Sequence, residues 1–389
     1  MRKHLIIVGR GHAHMMILES LDQFVQRGWK VTVIAPSAHH YYSGMGPGML
    51  GGSYAPEDIR FATQKVVLDH GGIFVKDRVV SVEPEKREVF TASGHGFKYD
   101  LVCFNAGSQV ETTDILSGDP FYTVYPVKPI EKLMDARGKL ETLLTRGGVC
   151  VNIVGGGPSA AEVAGNIWQL SRHVDCPSPP LIRILAGKRF MVRCPEAVRS
   201  RVRRILENRG IEIVEDAYVA QVGEKKIHLA SGTDIPSDFT FLALGVTPSP
   251  IFEASGLPVG PDGGLLVNDF LQSVKYPEIF GGGDCIYFEP QPLDKVGVYA
   301  VRQNPVLLHN LLARMDDKPL RVFEPGGDYL LIFNLGGGKG VFKKKEWCFS
   351  GRLAFWIKNA IDTRFMNRFQ SIEKNGKAFQ SGGMIRTRK

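Results

Sequence analysis

Two glycine-rich turns, 146 residues apart, constrain this chain more than any other feature: Gly9-Arg10-Gly11-His12-Ala13-His14 and Gly155-Gly156-Gly157-Pro158-Ser159-Ala160. The first follows the apolar run Leu5-Ile6-Ile7-Val8 and leads into Met15-Met16-Ile17-Leu18. The second follows Val151-Asn152-Ile153-Val154 and leads into Ala161-Glu162-Val163-Ala164. Both contexts read as strand, turn, helix. The first glycine turns the backbone, the second lets main-chain N–H groups approach a pyrophosphate, and the positive end of the helix dipole faces that charge. Two such cradles imply two dinucleotides, and the simplest chemistry for two dinucleotides is electron transfer between them.

The surrounding pattern repeats as well. After the first turn a helix is predicted to about Arg27, then a strand Lys30–Ala35, the spacing of a β-α-β unit. The glycine-dense segment 39–52 reads as a loop, and strand signals at 73–76, 79–83 and 87–91 suggest a small antiparallel insert. Tyr99–Ser108 reads as a buried strand closing on Gly107. A second β-α-β unit starts near Gly148, with a helix to about Arg172 and a strand over 181–186, and its later strand 239–245 again closes on glycine, at Gly245. The run Tyr276–Cys285, an apolar strand ending Gly281-Gly282-Gly283-Asp284, belongs to neither unit by position and is assigned to a return into the first.

Composition excludes more than it selects. With 389 residues and near-neutral mean hydropathy, the chain is long enough for two or three globular cores. Its six cysteines show no C-x-x-C pair and no metal-ligand spacing, so the expectation is a reduced cytoplasmic protein with no metal site. The N-terminal apolar run is too short for a secretion signal and passes straight into the glycine turn. No stretch approaches the roughly 20 apolar residues that span a bilayer.

Together these residues resemble the two-dinucleotide-fold flavoproteins that include the pyridine nucleotide-disulfide oxidoreductases and type II NADH dehydrogenases. The match runs from about residue 4 to 335 through Gly9-x-Gly11, Asn105-Ala106-Gly107-Ser108, Gly155-x-Gly157, Ala243-Leu244-Gly245 and Gly283-Asp284. Gly9–His14 with Tyr42-Ser43-Gly44-Met45-Gly46-Pro47-Gly48 further resembles the flavoprotein domain fused to selenide, water dikinase; no kinase domain is read here.

The resemblance implies an α/β fold of two Rossmann-like domains, the second inserted in the first. Residues 1–112 and 265–335 would bind FAD, 113–264 NAD(P)H, and 336–389 would form a basic amphipathic extension. It places the FAD pyrophosphate over Gly9, Gly11, His12, Ala13 and His14, with Asp284 after Gly283 on the ribityl chain. Tyr42, Ser43, Gly44 and Met45 would lie beside the isoalloxazine, with Ala106 and Gly107 near it and Val79 offering backbone to the adenine. NADH or NADPH would lie over Gly155, Gly157, Pro158 and Ser159, with Gly245 across from them and the nicotinamide near Glu162. Gln303, in Ala300-Val301-Arg302-Gln303-Asn304-Pro305, is carried over to the flavin and acceptor edge.

Departures shape the function. Both nucleotide strands lack the acid that takes ribose hydroxyls. Ala35 leaves that task to Ser37 or backbone, and Ala186, with Lys188 and Arg189 just beyond, leaves NADPH open beside NADH. Segment 39–52 contains no cysteine, which removes disulfide reduction at that place. His12 and His14 read either as packing residues or as acceptor chemistry, and His39 and His40 as solvent-facing or second to the site. Tyr42 reads equally as core or as a flavin neighbour. Glu162 reads as a helix-dipole acid or as a proton relay; an unpaired acid closing a buried strand is costly, so Asp284 reads as a cofactor residue.

The tail has its own charge. From Val341 to Lys389 there are 12 Lys or Arg against 3 acids, leaving everything before it near −1. Leu353, Ile357, Ile361, Phe365 and Phe369 form a stripe widened by Phe355, Trp356 and Ala360, with Arg352, Lys358, Arg364 and Arg368 around it. One reading packs this helix on the protein with a basic outer face; the other lays it on the inner membrane surface. The leading function is transfer of hydride from NAD(P)H through FAD to a quinone or other small acceptor. Sulfide or a selenium species as donor is the alternative, and an RNA-binding flavoprotein the alternative of another class, ranked last because no RNA-binding module is recognisable. A homodimer is left open.

Overall fold

The computed structural model describes residues 2–111, 115–116 and 123–375. Each glycine turn sits in a five-stranded parallel sheet, and four strands around it follow the same order in both; the fifth, outer strand comes last in the chain in the first sheet and first in the second. In the first, Ile279–Gly281, Leu101–Phe104, His4–Val8, Lys30–Ala35 and Ile73–Lys76 lie side by side. In the second, Val124–Pro126, Phe239–Leu242, Cys150–Val154, Leu181–Leu185 and Glu212–Val214 do the same. The central strands His4–Val8 and Cys150–Val154 are buried apart from their first residues, which is why they read as continuous apolar runs rather than alternating ones.

Several local expectations change. Ile73–Lys76 is a parallel edge strand of the first sheet; the antiparallel insert is Val79–Glu83, Glu88–Thr91 and Gly96–Lys98. The helix after the first turn is a 3-10 turn His12–His14 followed by Met15–Glu19 and Leu21–Gln26, interrupted at Ser20, where φ −110° and ψ 21° leave the helical region. The segment expected as a glycine loop forms a 3-10 turn Ser43–Met45 and a helix Gly46–Leu50. Its glycines allow close packing, since a Cβ on Gly46 would lie 2.9 Å from Ile130 and one on Gly51 2.6 Å from Asn166.

A third unit follows. Leu331–Asn334, Gly340–Lys344 and Trp347–Gly351 form an antiparallel sheet that straddles residue 335, and the helix Arg352–Asn375 runs back across the molecule. Phe333, Leu335, Val341 and Met366 join the core of the second sheet, whereas Phe369 joins that of the first. The apolar stripe read from the sequence is rotated. Ala354, Lys358, Asp362, Met366 and Phe369 face inward, while Leu353, Trp356 and Ile361 are 59, 65 and 46 % exposed. The helix turns this way because its Lys358–Asp362 pair binds groups of segment 42–44, a demand that apolar periodicity does not register.

Candidate active site

The first glycine of each turn is held in the same way. Gly9 N–H donates to Ile34 O and Gly155 N–H to Leu185 O, each at 2.9 Å. Gly9 has φ +88° and a Cβ there would lie 2.1 Å from Asn105 O; Gly155 has φ +125° and its Cβ would lie 2.2 Å from Ala243 O. Only glycine fits such positions, by both conformation and space.

Around the first turn, the Asn105 side chain wedges between Gly11 and Gly283, where added Cβ atoms would lie 2.8 and 2.6 Å from it. Its Nδ2 is buried without a hydrogen-bond partner among the described residues. Asn304 holds the turn from behind, donating from Nδ2 to His12 O and accepting Met16 N–H, both at 2.9 Å. Arg10 donates to Ser37 O and pairs with Glu131 at 2.8 Å. Ala13 is fully buried against Gly282, and Val79 is buried where the adjacent Asp77 N–H meets Ala35 O at 3.1 Å. Ala106 is exposed and Gly107 has φ +74° with open space beside it.

Asp284 accepts Ser108 Oγ at 2.8 Å and Lys128 Nζ at 2.9 Å. Burial alone would raise its pKa, but the Lys128 charge and these two hydrogen bonds outweigh it and hold the carboxyl below its ordinary value. Gln303 is buried with Oε1 accepting Gly283 N–H at 2.6 Å, so it fixes the turn that carries Asp284.

The two histidines of the first turn part company. His14 is fully buried, donating to Gly9 O (3.1 Å) with its other ring nitrogen 3.2 Å from Cys103 Sγ. His12 faces His40, Tyr42 and Phe365, with ring centroids 5.0, 5.1 and 5.8 Å away. Burial pulls both His12 and His14 down to about 4, so both are neutral at pH 7. His40 is buried rather than solvent-facing, because strand pairing with Phe61 turns its ring under His12; His39 is half-buried. Nε2 of His12 and of His40 have no hydrogen-bond partner among the described residues.

The second turn is open on its outer side. Among the described residues nothing lies within 4 Å of a Cβ placed on Gly157 or Gly245, and Pro158, Ser159 and Lys188 are exposed. The helix Pro158–His173 starts here, and its Glu162, on the second turn rather than the first, points inward.

Glu162 meets the C-terminal helix in a cavity of about 590 Å³, lined also by His12, Tyr42, Ser43, Gly44, Val301, Arg302, Lys344, Lys358, Ile361, Asp362 and Phe365. Lys358 Nζ donates to Gly44 O at 2.9 Å and to Asp362 at 2.8 Å, and Tyr42 Oη donates to Asp362 at 3.0 Å. Burial would lower the lysine, but Asp362 and Glu162 keep it above its ordinary value. Burial raises Glu162 to about 7, against the pull of Lys358 and of the Asn334 N–H that it accepts at 2.8 Å. Burial, then Asp362, pushes the Tyr42 hydroxyl well up. Met45 lies below, in the core of the second sheet.

Sequence reasoning therefore missed Asn105, Lys128, Lys358 and Asp362 as site residues. Asn105 carried a signal, since it opens the Asn-Ala-Gly-Ser turn. Lys358 and Asp362 carried none, being one basic and one acidic residue in a basic helix. No group of three or more potential metal ligands occurs among the described residues.

Twin parallel sheets, each closing on a glycine cradle, with His12 of the first cradle and Glu162 from beyond the second in one cavity, define a two-dinucleotide oxidoreductase architecture. The pyridine nucleotide-disulphide oxidoreductase family matches residues 3–306, and the chain belongs to that family. It is an FAD-dependent oxidoreductase with a reduced nicotinamide dinucleotide as co-substrate. The chain is similar to a type II NADH:quinone oxidoreductase of Staphylococcus saprophyticus, 23 % identical over 98 % of each chain. Among solved structures it resembles NDH2 from Plasmodium falciparum in complex with NADH, at TM-score 0.77 and 13 % identity over 97 % of this chain and 99 % of that one. It also resembles the sulfide:quinone oxidoreductase of Aquifex aeolicus, at TM-score 0.74 and 16 % identity over 95 % and 92 %.

Proposed function

We propose that this chain is an NAD(P)H:quinone oxidoreductase of the type II NADH dehydrogenase kind, with the balance NAD(P)H + H⁺ + quinone → NAD(P)⁺ + quinol. One observation carries the reading: His12, in the first cradle, and Glu162, just past the second, line the same cavity. The cradle residues fit a bound FAD, since Asn105 leaves a buried donor unused between Gly11 and Gly283, and Gly107 leaves open space. In this reading Gly9, Gly11, His12, Ala13, His14, Ser37, Tyr42 to Met45, Val79, Ala106, Gly107, Gly283 and Asp284 hold FAD. Gly155, Gly157, Pro158, Ser159, Lys188 and Gly245 hold the nicotinamide dinucleotide. FAD, when bound, supplies a two-electron relay between donor and acceptor.

The residues of the chain do the rest. Asp284 is kept ionised by Lys128 and Ser108 for the ribityl hydroxyls, and Gln303 keeps its turn in place. Glu162, poised near neutral pH, holds the proton that a reduced acceptor oxygen needs, and Lys358 fixes segment 42–44 and sets the charge beside it.

The outer face of the C-terminal unit supports a peripheral membrane location, although no described helix is long and apolar enough to cross a membrane. Trp347, 74 % exposed, and the exposed Leu353, Trp356 and Ile361 sit among Lys343, Lys344, Lys345, Arg352 and Arg364. Lys344 and Ile361 also line the cavity, so the apolar face and the cavity mouth adjoin. Each cation near an anionic surface contributes about 1 kcal/mol.

Sulfide or a selenium species as donor, the reading tied to the selenide, water dikinase resemblance, has less support, because no cysteine among the described residues lines the cavity. RNA binding by the tail also has less, since Lys358 is buried and Arg368 pairs with Glu19. The deciding experiment is anaerobic titration of the purified yellow protein with NADH, NADPH and sulfide, then reoxidation by a quinone. Bleaching by either nicotinamide and recovery with quinone is expected; bleaching by sulfide alone overturns the proposal.

A further inference from the structure

We infer that the loop after strand Leu181–Leu185 reads the 2′-phosphate of NADPH through Lys188 and Arg189, so that this chain prefers NADPH to NADH. The inference rests on the second cradle binding a nicotinamide dinucleotide, as proposed above, and says which one.

Geometry puts the loop against the cradle. Met191 N–H donates to Gly156 O at 2.6 Å, and a Cβ on Gly156 would lie 2.6 Å from the Ala186 Cβ and 3.4 Å from Arg189 O. The backbone of 186–191 is thus fastened to the middle glycine of the turn. At the strand end, where a carboxylate would accept both ribose hydroxyls and repel a phosphate, the chain has the fully buried methyl of Ala186.

The charges at this rim are unspent. Lys188 is exposed and forms no ion pair among the described residues. Arg189 reaches Glu196 only at 3.9 Å, and that carboxylate is bound more closely by Arg199. Arg193, also exposed, lies at the end of the same loop. Of the neighbouring acids, Glu215 is committed to Phe190 N–H at 2.8 Å and Arg203 at 2.6 Å. Asp216 remains exposed, its N–H donating to Lys188 O at 3.1 Å. Two cations unpaired among the described residues and a third held only by a long contact, against one unpaired acid, suit a group carrying nearly two negative charges. Beside the loop the exposed Tyr218 ring passes 3.2 Å from a Cβ on Gly187, offering a flat face at the place for an adenine.

The first cradle provides a contrast. Its strand also ends without an acid, at Ala35, but the cation there, Arg10, is mostly buried and already spent on Ser37 O and Glu131. A phosphate reader is therefore present at one cradle and absent from the other.

The test uses the FAD-loaded protein and two probes that differ by one phosphate, adenosine 2′,5′-bisphosphate and 5′-AMP. Calorimetry at low salt should show the bisphosphate binding at least tenfold more tightly, with the advantage shrinking as salt rises. Flavin reduction should show kcat/KM for NADPH at least tenfold above that for NADH. The double substitution Lys188→Ser, Arg189→Ser should lower the NADPH-to-NADH ratio tenfold or more, and Arg189→Lys should keep most of it. Equal binding of the two probes, an equal or greater kcat/KM for NADH, or a double variant that weakens both nucleotides in proportion overturns the inference. Bleaching by NADH at least as efficient as by NADPH leaves the oxidoreductase reading intact and removes only this one. Bleaching by neither removes the oxidoreductase reading, while the probe pair still decides the phosphate site.

Discussion

Replacing Glu162 by glutamine tests the coupling between burial and proton chemistry most directly. The carboxyl is half-buried in the cavity wall, and burial moves its ionisation from an ordinary 4.5 to about 7. That difference means that ionising Glu162 costs the folded protein about 3 kcal/mol more than it costs the unfolded chain. For an acid whose folded pKa is raised, the cost is absent below the unfolded pKa, grows from about pH 4.5 to 7, and is complete above it. Glu162→Gln keeps the shape and the oxygen that accepts the Asn334 N–H but cannot ionise. The variant should therefore gain up to about 3 kcal/mol on the wild type as pH rises from 4.5 to 8, read as the difference between urea unfolding midpoints at each pH. In turnover, the protonated carboxyl is the active form, so wild-type reoxidation by quinone should fall tenfold per pH unit above 7, and the variant should be slow and flat. A wild-type profile without an inflection between pH 6 and 8, or a Glu162→Gln protein that retains it, would refute the reasoning.

Other perturbations separate the parts of the site. Lys358→Met removes the ammonium that pulls Glu162 down, so the inflection should move above 7; it also strands the buried Asp362 carboxylate, at about 3–5 kcal/mol of stability in denaturant unfolding. Gly9→Ala should yield protein depleted of flavin absorbance. Gly155→Ala should keep the flavin but lose its reduction by NAD(P)H, because each methyl group is driven into a carbonyl in its own cradle alone. Trp347→Ser with Trp356→Ser should weaken sedimentation with anionic vesicles tenfold or more while leaving reduction of a water-soluble quinone unchanged; undiminished vesicle binding would remove the membrane assignment.

What could be read in the sequence was whatever neighbouring residues settle among themselves. Apolar runs closing on Gly9-x-Gly11 and Gly155-x-Gly157 specify strand, turn and helix because the left-handed φ and close carbonyl contact at each first glycine are local demands. The return of Ile279–Gly281 beside Leu101–Phe104 was legible for a similar reason, since a third apolar strand ending in glycines had no place in either local unit. Segment 39–52 was misread because Gly46 and Gly51 serve packing on distant helices, whereas only Gly52 takes a left-handed turn conformation, and spacing alone does not distinguish the two uses.

The tail shows the boundary most clearly. Periodicity announced a helix from about Leu353 to Phe369 and a basic charge, both present in Arg352–Asn375. Which face it would bury depended on Gly44 O and the Tyr42 hydroxyl, more than 300 residues away, which accept from Lys358 and donate to Asp362. A buried ion pair is stable only where such partners already wait, and hydrophobic periodicity weighs apolar surface alone. Local chemistry thus set the two cradles, whereas the cavity between them, and the charge that tunes Glu162, exist only once the chain's last helix has come back to its beginning.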